Sequence, residues 1–218
     1  MTVAFGIDLF DCFTLLLANL SSHWDQRSSE FRYNFSKIVP SQDGSEYMSN
    51  PNDQALLDAL LDSWDRNNTI LVNLLRVLPD SDLSVRAMEN GPSVAELFSH
   101  IHYVRLAFVF EDAPEFATKV PETEWVIESD RVGMAQMLND SAKVVGDAVR
   151  SRVASGREMD LHYDHPILLL LHMIWHEGYH HGQIKLALKL AGHPISDDQA
   201  GPISWGVWMN KTEMNKNS

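Results

Sequence analysis

Cysteine occurs once in the 218 residues, at Cys12, so no disulfide can close within the chain and no cysteine-based zinc cluster can be built. That usage suits a reducing compartment, and the cytoplasm is the expected location. Basic charge is scarce too: seventeen Lys and Arg face thirty Asp and Glu, a formal charge of −13. A surface so acidic repels phosphate backbones and anionic headgroups, which argues against nucleic acid and against a membrane as partners. A long uncharged apolar run is also missing. The most apolar stretch, from Val3 to Leu17, is broken by Asp8 and Asp11 and has no basic residue ahead of it. A membrane span needs roughly 20 apolar residues and a secretory signal needs a basic start. The stretch reads instead as a short helix, buried or at an interface. Residues up to about 50 then turn polar, with a brief alternation at Phe31, Tyr33 and Phe35 that reads as a strand or an extended arm. Residues 1–50 are therefore expected to form an extension, and residues 51–218 the main domain with a C-terminal tail.

What is abundant from Pro51 onward is helical periodicity. Leu56, Leu57, Leu60, Leu61, Trp64, Leu71, Leu74, Leu75 and Leu78 recur at helical spacing until Pro79. A second helix opens at Ser93-Val-Ala-Glu96, a capping box, and carries Val94, Leu97, Phe98, Ile101, Val104 and Phe108 toward Pro114. A third runs from about Ser129 to Ser155, with Met134, Met137, Leu138, Val145, Val149 and Val153 inward and Gly156 as its terminator. The fourth runs from Pro166 to Gly192. Four such helices predict an all-α bundle. The connection between the second and third is the longest, which allows one crossover that sets those two helices parallel.

Ten histidines stand out in this composition. His176 and His180 lie four apart on the fourth helix, so their rings share one face at about 6 Å. Leu169, Met173, His176, His180, Gln183 and Ala187 form one stripe, which turns the pair into the bundle. Two buried imidazoles need partners for all four nitrogens, and a divalent cation supplies them. His100, beside Leu97, Ile101 and Val104 on the second helix, is the best candidate for a third ligand, with His102 in reserve. Three histidines leave coordination positions open, as in catalytic sites. A closed structural site would take a fourth ligand, with Glu111 and His172 the candidates. His162, His165 and His193 sit near helix ends and read as exposed or capping, and Gly178 and Gly182 as permitting close helix approach.

His176-Glu-Gly-Tyr-His180 also matches the His-Glu-x-x-His signature of zinc peptidases, with Glu177 as general base. The match does not extend: Gln183 and Leu186 stand where one continuation needs glycine and histidine. The only later glutamate, Glu213, lies in the polar tail. Peptidase is therefore the weakest reading, and Glu177 is expected to face away from the ligands and to pair with His181.

The longer run His176-Glu-x-x-His180-x-Gly182-Gln183-Ile184, continued to Gly192-His-Pro194, resembles the last helix of the DinB-like (YfiT-like) metal-binding four-helix bundles. Ser93-Val-Ala-Glu-Leu-Phe-Ser-His100-Ile resembles the second-helix motif of that family, and Trp205-Gly-Val-Trp208 its C-terminal segment. The resemblance spans roughly residues 52–208. It implies a DinB-like bundle with one long crossover, preceded here by an extra helical segment, and a metal site made of His100, His176 and His180. It implies zinc or nickel foremost, with manganese or iron as alternatives. Where the family usually has arginine after the last ligand, this chain has His181. The family resemblance further implies a homodimer, for which the apolar first helix is a candidate contact. It also implies a small-molecule substrate such as a low-molecular-weight thiol, in a transferase, or the substrate of a metal-dependent hydrolase. The alternative is a non-catalytic metal-binding or stress-response module. No catalytic residue is assigned by the sequence.

Overall fold

The computed structural model describes residues 51–127 and 129–209. The extension read in residues 1–50, its dimer contact and Glu213 lie outside the described residues. Four long helices carry the architecture: α1 (Pro51–Val77), α2 (Val94–Asp112), α3 (Arg131–Ala154) and α4 (Pro166–Leu190). No strand occurs among the described residues, only one isolated bridge between Arg86 and Ser93. None of the described helices is long and apolar enough to cross a membrane.

Local chemistry sets the boundaries. Ser93 accepts from the Glu96 amide at 3.2 Å while the Glu96 carboxylate takes the Ser93 amide at 2.7 Å, so the predicted capping box starts α2. Asp130 caps α3 through the Val132 amide, and the His165 ring accepts from the Ile167 amide at the start of α4. Gly156 and Gly192 end α3 and α4 with φ of 64° and 84°, a left-handed conformation that glycine adopts without strain. Leu56 departs from the expected stripe: it is 59% exposed, one position off the face that buries Leu57 and Leu61.

The direction of each helix follows from its cross-links. The Trp64 indole donates to the Ala142 carbonyl at 2.8 Å and Asn68 to Asn139 at 2.8 Å, so α1 and α3 are antiparallel. His102 meets Met137 and Arg105 meets Leu138, so α2 and α3 run parallel, as the long link between them allows. Phe108 packs on His172 while His100 meets His176, so α4 is antiparallel to α2. The apolar interior divides in two. One half gathers Leu71 to Leu78, Val94 to Ile101, Met134 to Leu138 and Ile184 to Leu188. The other gathers Leu57 to Trp64, Val104 to Ala113, Ala142 to Val149 and Leu169 to Met173. Where the two halves meet, the buried polar side chains are Asn68, His100, Arg105, Ser141, His176, Glu177 and His180. A polar layer thus crosses the waist of the bundle.

Short turns follow α4: α5 (Asp197–Ala200), a π-turn at Gly201–Trp205 and α6 (Gly206–Met209). Arg66 of α1 donates to the carbonyls of Val207 and Trp208 and pins this segment to α1. Trp205 and Trp208 stay 62% and 42% exposed.

Candidate metal centre

In the polar layer His100 of α2 and His176 and His180 of α4 come together, all buried and with one ring nitrogen each within 4.8 Å of the others. The Nε2 of His176 stands 3.2 Å from Nε2 of His100 and 3.0 Å from Nε2 of His180. Those separations are what three imidazoles need to share one cation. Bonds of about 2.0–2.1 Å at right to tetrahedral angles put neighbouring nitrogens about 3–3.4 Å apart.

The outward nitrogens fix the tautomers. His100 Nδ1 lies 2.6 Å from Glu124 Oε1, and His180 Nδ1 lies 2.7 Å from Gln183 Oε1. Carboxylate and amide oxygens accept, so both Nδ1 atoms carry the proton and donate it outward. The Nε2 lone pairs of His100 and His180 then both point at His176. One proton on His176 Nε2 cannot be directed fully at both. With that proton on Nδ1 instead, three lone pairs converge in a water-poor interior, an arrangement a cation resolves.

Burial, together with the neighbouring rings of His180 and His100, pushes His176 down to about 2. Burial likewise takes His180 down to about 4, with His100 adding to the shift and Gln183 opposing it. Both rings are therefore neutral at pH 7, the form that binds a metal ion.

Residues around the triad hold it in place. The Trp125 ring lies flat on the His100 imidazole, with centroids 4.3 Å apart and planes 1° from parallel. The Ser99 hydroxyl takes the Val126 amide at 2.9 Å, which fixes the same loop to α2. Gln183 is positioned in turn by its amide, which donates to the Tyr179 hydroxyl at 3.0 Å.

Beside the triad, Glu177 is completely buried and does not pair with His181, contrary to the sequence expectation. Arg105, also without exposure, donates to both its oxygens at 2.6 and 2.7 Å, and Asn67 adds a third donor at 2.6 Å. Arg105 further donates to Asn68 and to the Leu138 carbonyl, and its guanidinium stands 4.8 Å from the Trp64 ring centroid. Burial pushes the Glu177 carboxyl up, and Arg105 and Asn67 pull it back. Three donors aimed at two oxygens fix it as an acceptor. A general base needs a free lone pair facing the reaction, so the peptidase reading fails here as well as in its sequence continuation. His181 instead lines a small crevice with Ile70, Leu74 and Ile203, where burial pushes it down to about 4.

The remaining candidates stand apart from the triad. His102 turns to the Met137 carbonyl at 2.9 Å. His172, one turn before His176, bonds to the Tyr163 hydroxyl at 2.7 Å. Glu111 lies beside His162, whose ring makes its shorter contact, 2.8 Å, with buried Asp112. His193 pairs with buried Asp82 at 2.7 Å. Sequence reasoning missed Glu124 and Arg105. Glu124 sits in the crossover loop with no periodic neighbour to mark it. Arg105, four residues after Ile101 on the apolar side of α2, carried a signal: a charge on an inward stripe calls for a buried partner.

No curated protein and no solved structure matches this chain significantly. The family model described as DinB family matches residues 48–201, well over half of the chain and all four long helices with the three histidines. With an all-α bundle, a crossover between α2 and α3, and a buried three-histidine group compatible with metal binding, the chain belongs to the DinB family.

Proposed function

We propose that this protein binds one divalent cation through Nε2 of His100, His176 and His180 and uses the open side of that site on a small molecule. The reaction class we favour is transfer of a low-molecular-weight thiol, with hydrolysis the alternative. The observation that carries the reading is that Nε2 of His176 lies 3.2 Å from that of His100 and 3.0 Å from that of His180, with all three ligand atoms within 4.8 Å of one another. When bound, such an ion supplies Lewis acidity, making a thiol or water at the site acidic enough to ionise near neutral pH.

The chain's own residues supply the rest. Glu124 and Gln183 keep the Nδ1 protons outward so that the lone pairs face inward. The Arg105–Glu177 pair ties α2 to α4 at the level of the ligands and limits how far they can separate. Glu177 is held by three donors and Glu124 accepts the His100 Nδ1–H, so both carboxylates beside the ligands already have donors of their own. Transfer of an ionised thiol makes less demand on a protein base than hydrolysis does, which favours it. Zinc or nickel suits three imidazoles best, with manganese or iron as alternatives.

A non-catalytic metal site is the second reading, favoured by the burial of the ligands, 4–7% exposed, and by Trp125 lying on His100. Cobalt-substituted protein separates the two. The catalytic reading expects azide, imidazole and a small thiol each to shift the visible spectrum. A spectrum indifferent to all three contradicts it and leaves the closed site.

A further inference from the structure

The Gln183 amide fixes more than His180. Its Oε1 takes the His180 Nδ1 proton, so its Nε2 is the end that meets Tyr179, and that nitrogen donates to the phenol oxygen at 3.0 Å. The hydrogen of the Tyr179 hydroxyl is then left over, with no acceptor among the described residues. The side chain is 56% exposed, although its ring stands only 5.2 Å from that of His180. A donor at the edge of the metal centre, oriented by the same amide that orients a ligand, thus faces outward unfilled.

Position along α4 decides which side of the site it borders. Glu177 follows His176 by one residue and Tyr179 precedes His180 by one. At about 100° per residue they flank the ligand stripe on opposite sides. The Glu177 side is sealed, since Arg105 and Asn67 hold that carboxylate and neither it nor Arg105 has any exposure. The Tyr179 side meets solvent. Trp125, which covers His100 with one face, is itself 41% exposed. A small molecule reaching the three histidines therefore enters past Tyr179 and not past Glu177.

Charge narrows what that molecule offers. Arg105 is held by Glu177, and Glu124 sets a further carboxylate behind His100, in a chain of formal charge −13. Such surroundings favour an uncharged acceptor over a carboxylate or a phosphate. A carbonyl oxygen is the strong acceptor of that kind.

We propose that the Tyr179 hydroxyl donates a hydrogen bond to the carbonyl oxygen of an uncharged electrophile in which a carbon–carbon double bond is conjugated to that carbonyl, which rests on the thiol-transfer reading above. As sulfur bonds to the far carbon, the double-bond pair shifts toward the carbonyl and the carbonyl pair moves onto oxygen. The Tyr179 hydrogen bond strengthens with the charge gained there. The thiol gives its proton to solvent, and a solvent proton ends on the carbon beside the carbonyl. The sum is addition of the thiol with nothing released, and Tyr179 keeps its own proton. A displaced group would call for an acid to protonate it, whereas addition asks the protein only for a donor to the oxygen.

The test uses full-length cobalt-substituted protein in spectral titrations with two thiols. One is the methyl ester of mercaptopropionic acid, whose sulfur and carbonyl occupy the places of the thiol and the acceptor in the adduct. The other is butanethiol, which lacks the oxygen. Tyr179→Phe is expected to weaken binding of the ester by about 3–10-fold and to leave butanethiol and cobalt affinity unchanged. The free acid is expected to bind the wild type less well than the ester. No weakening of the ester overturns the proposal. Equal weakening of both thiols overturns it too, because Tyr179 would then act through His180 and not on the oxygen. Tighter binding of the free acid than of the ester overturns the uncharged class. A cobalt spectrum that neither thiol shifts contradicts the thiol-transfer reading itself, and the role of Tyr179 falls with it.

Discussion

The His100 imidazole is held from two directions by adjacent residues of one loop: Glu124 takes its Nδ1 proton at 2.6 Å and Trp125 stacks on its face at 4.3 Å. A carboxylate behind a ligating histidine fixes its tautomer and raises its basicity, and losing such a partner typically costs 10–100-fold in metal affinity. Glu124→Ala is therefore expected to weaken zinc binding by about 10–100-fold. Glu124→Gln, whose carbonyl can still accept the proton, should recover part of that loss. Competition with a chromophoric chelator measures both. Equal affinity in wild type and Glu124→Ala would mean that the loop carboxylate does not position the ligand.

The Arg105–Glu177 pair is predicted to matter more for stability than for chemistry. Both side chains are without exposure, and removing one leaves the other charged and buried. Glu177→Leu and Arg105→Met should each destabilise the bundle by about 3–5 kcal/mol in urea unfolding. The double variant should lose less than the sum of the singles, because neither charge is then stranded. Additive losses would show that the two do not act as a pair.

Acid sensitivity should arise partly at the far end of the bundle. A hydrogen bond from Arg152, opposed by slight burial and helped by the charges of Arg152 and Arg157, holds Asp160 below its ordinary value of 3.8. A carboxylate with a lowered folded value stabilises the fold fully above the unfolded value and loses that contribution as pH falls through the folded one. Stability should thus decline as pH falls below about 4. Asp160→Asn should flatten that part of the profile without changing it near pH 7 in slope. An unchanged acid limb in thermal melts across this range would remove Asp160 from the account.

Much of this bundle is legible in the sequence because its elements announce themselves locally. The Ser93–Glu96 box, the leucine spacing after Pro51 and the glycines at 156 and 192 each act within a few residues. His176 and His180 share a helix face by spacing alone, and His100 follows once a buried pair needs a third partner. What stays hidden depends on distance in sequence. Glu124 reaches His100 only because the crossover folds back along α2, and a loop has no period from which to infer that. The pairing of Glu177 stays hidden for a related reason. Its spacing from His176 suggests a different face, but its partner is set by Arg105 on another helix, and a single-helix argument cannot see across the bundle. Leu56 illustrates the converse, since a leucine at helical spacing is buried only when a neighbouring helix lies over it.

The most direct test of the central claim is the metal content per chain of full-length protein purified without a nickel column, beside His180→Ala. The account predicts about one equivalent of a divalent ion in the wild type, present as purified or after loading with zinc, nickel or manganese. It predicts loss of that ion in the variant. No ion in either protein after loading would contradict it and leave His100, His176 and His180 as core residues.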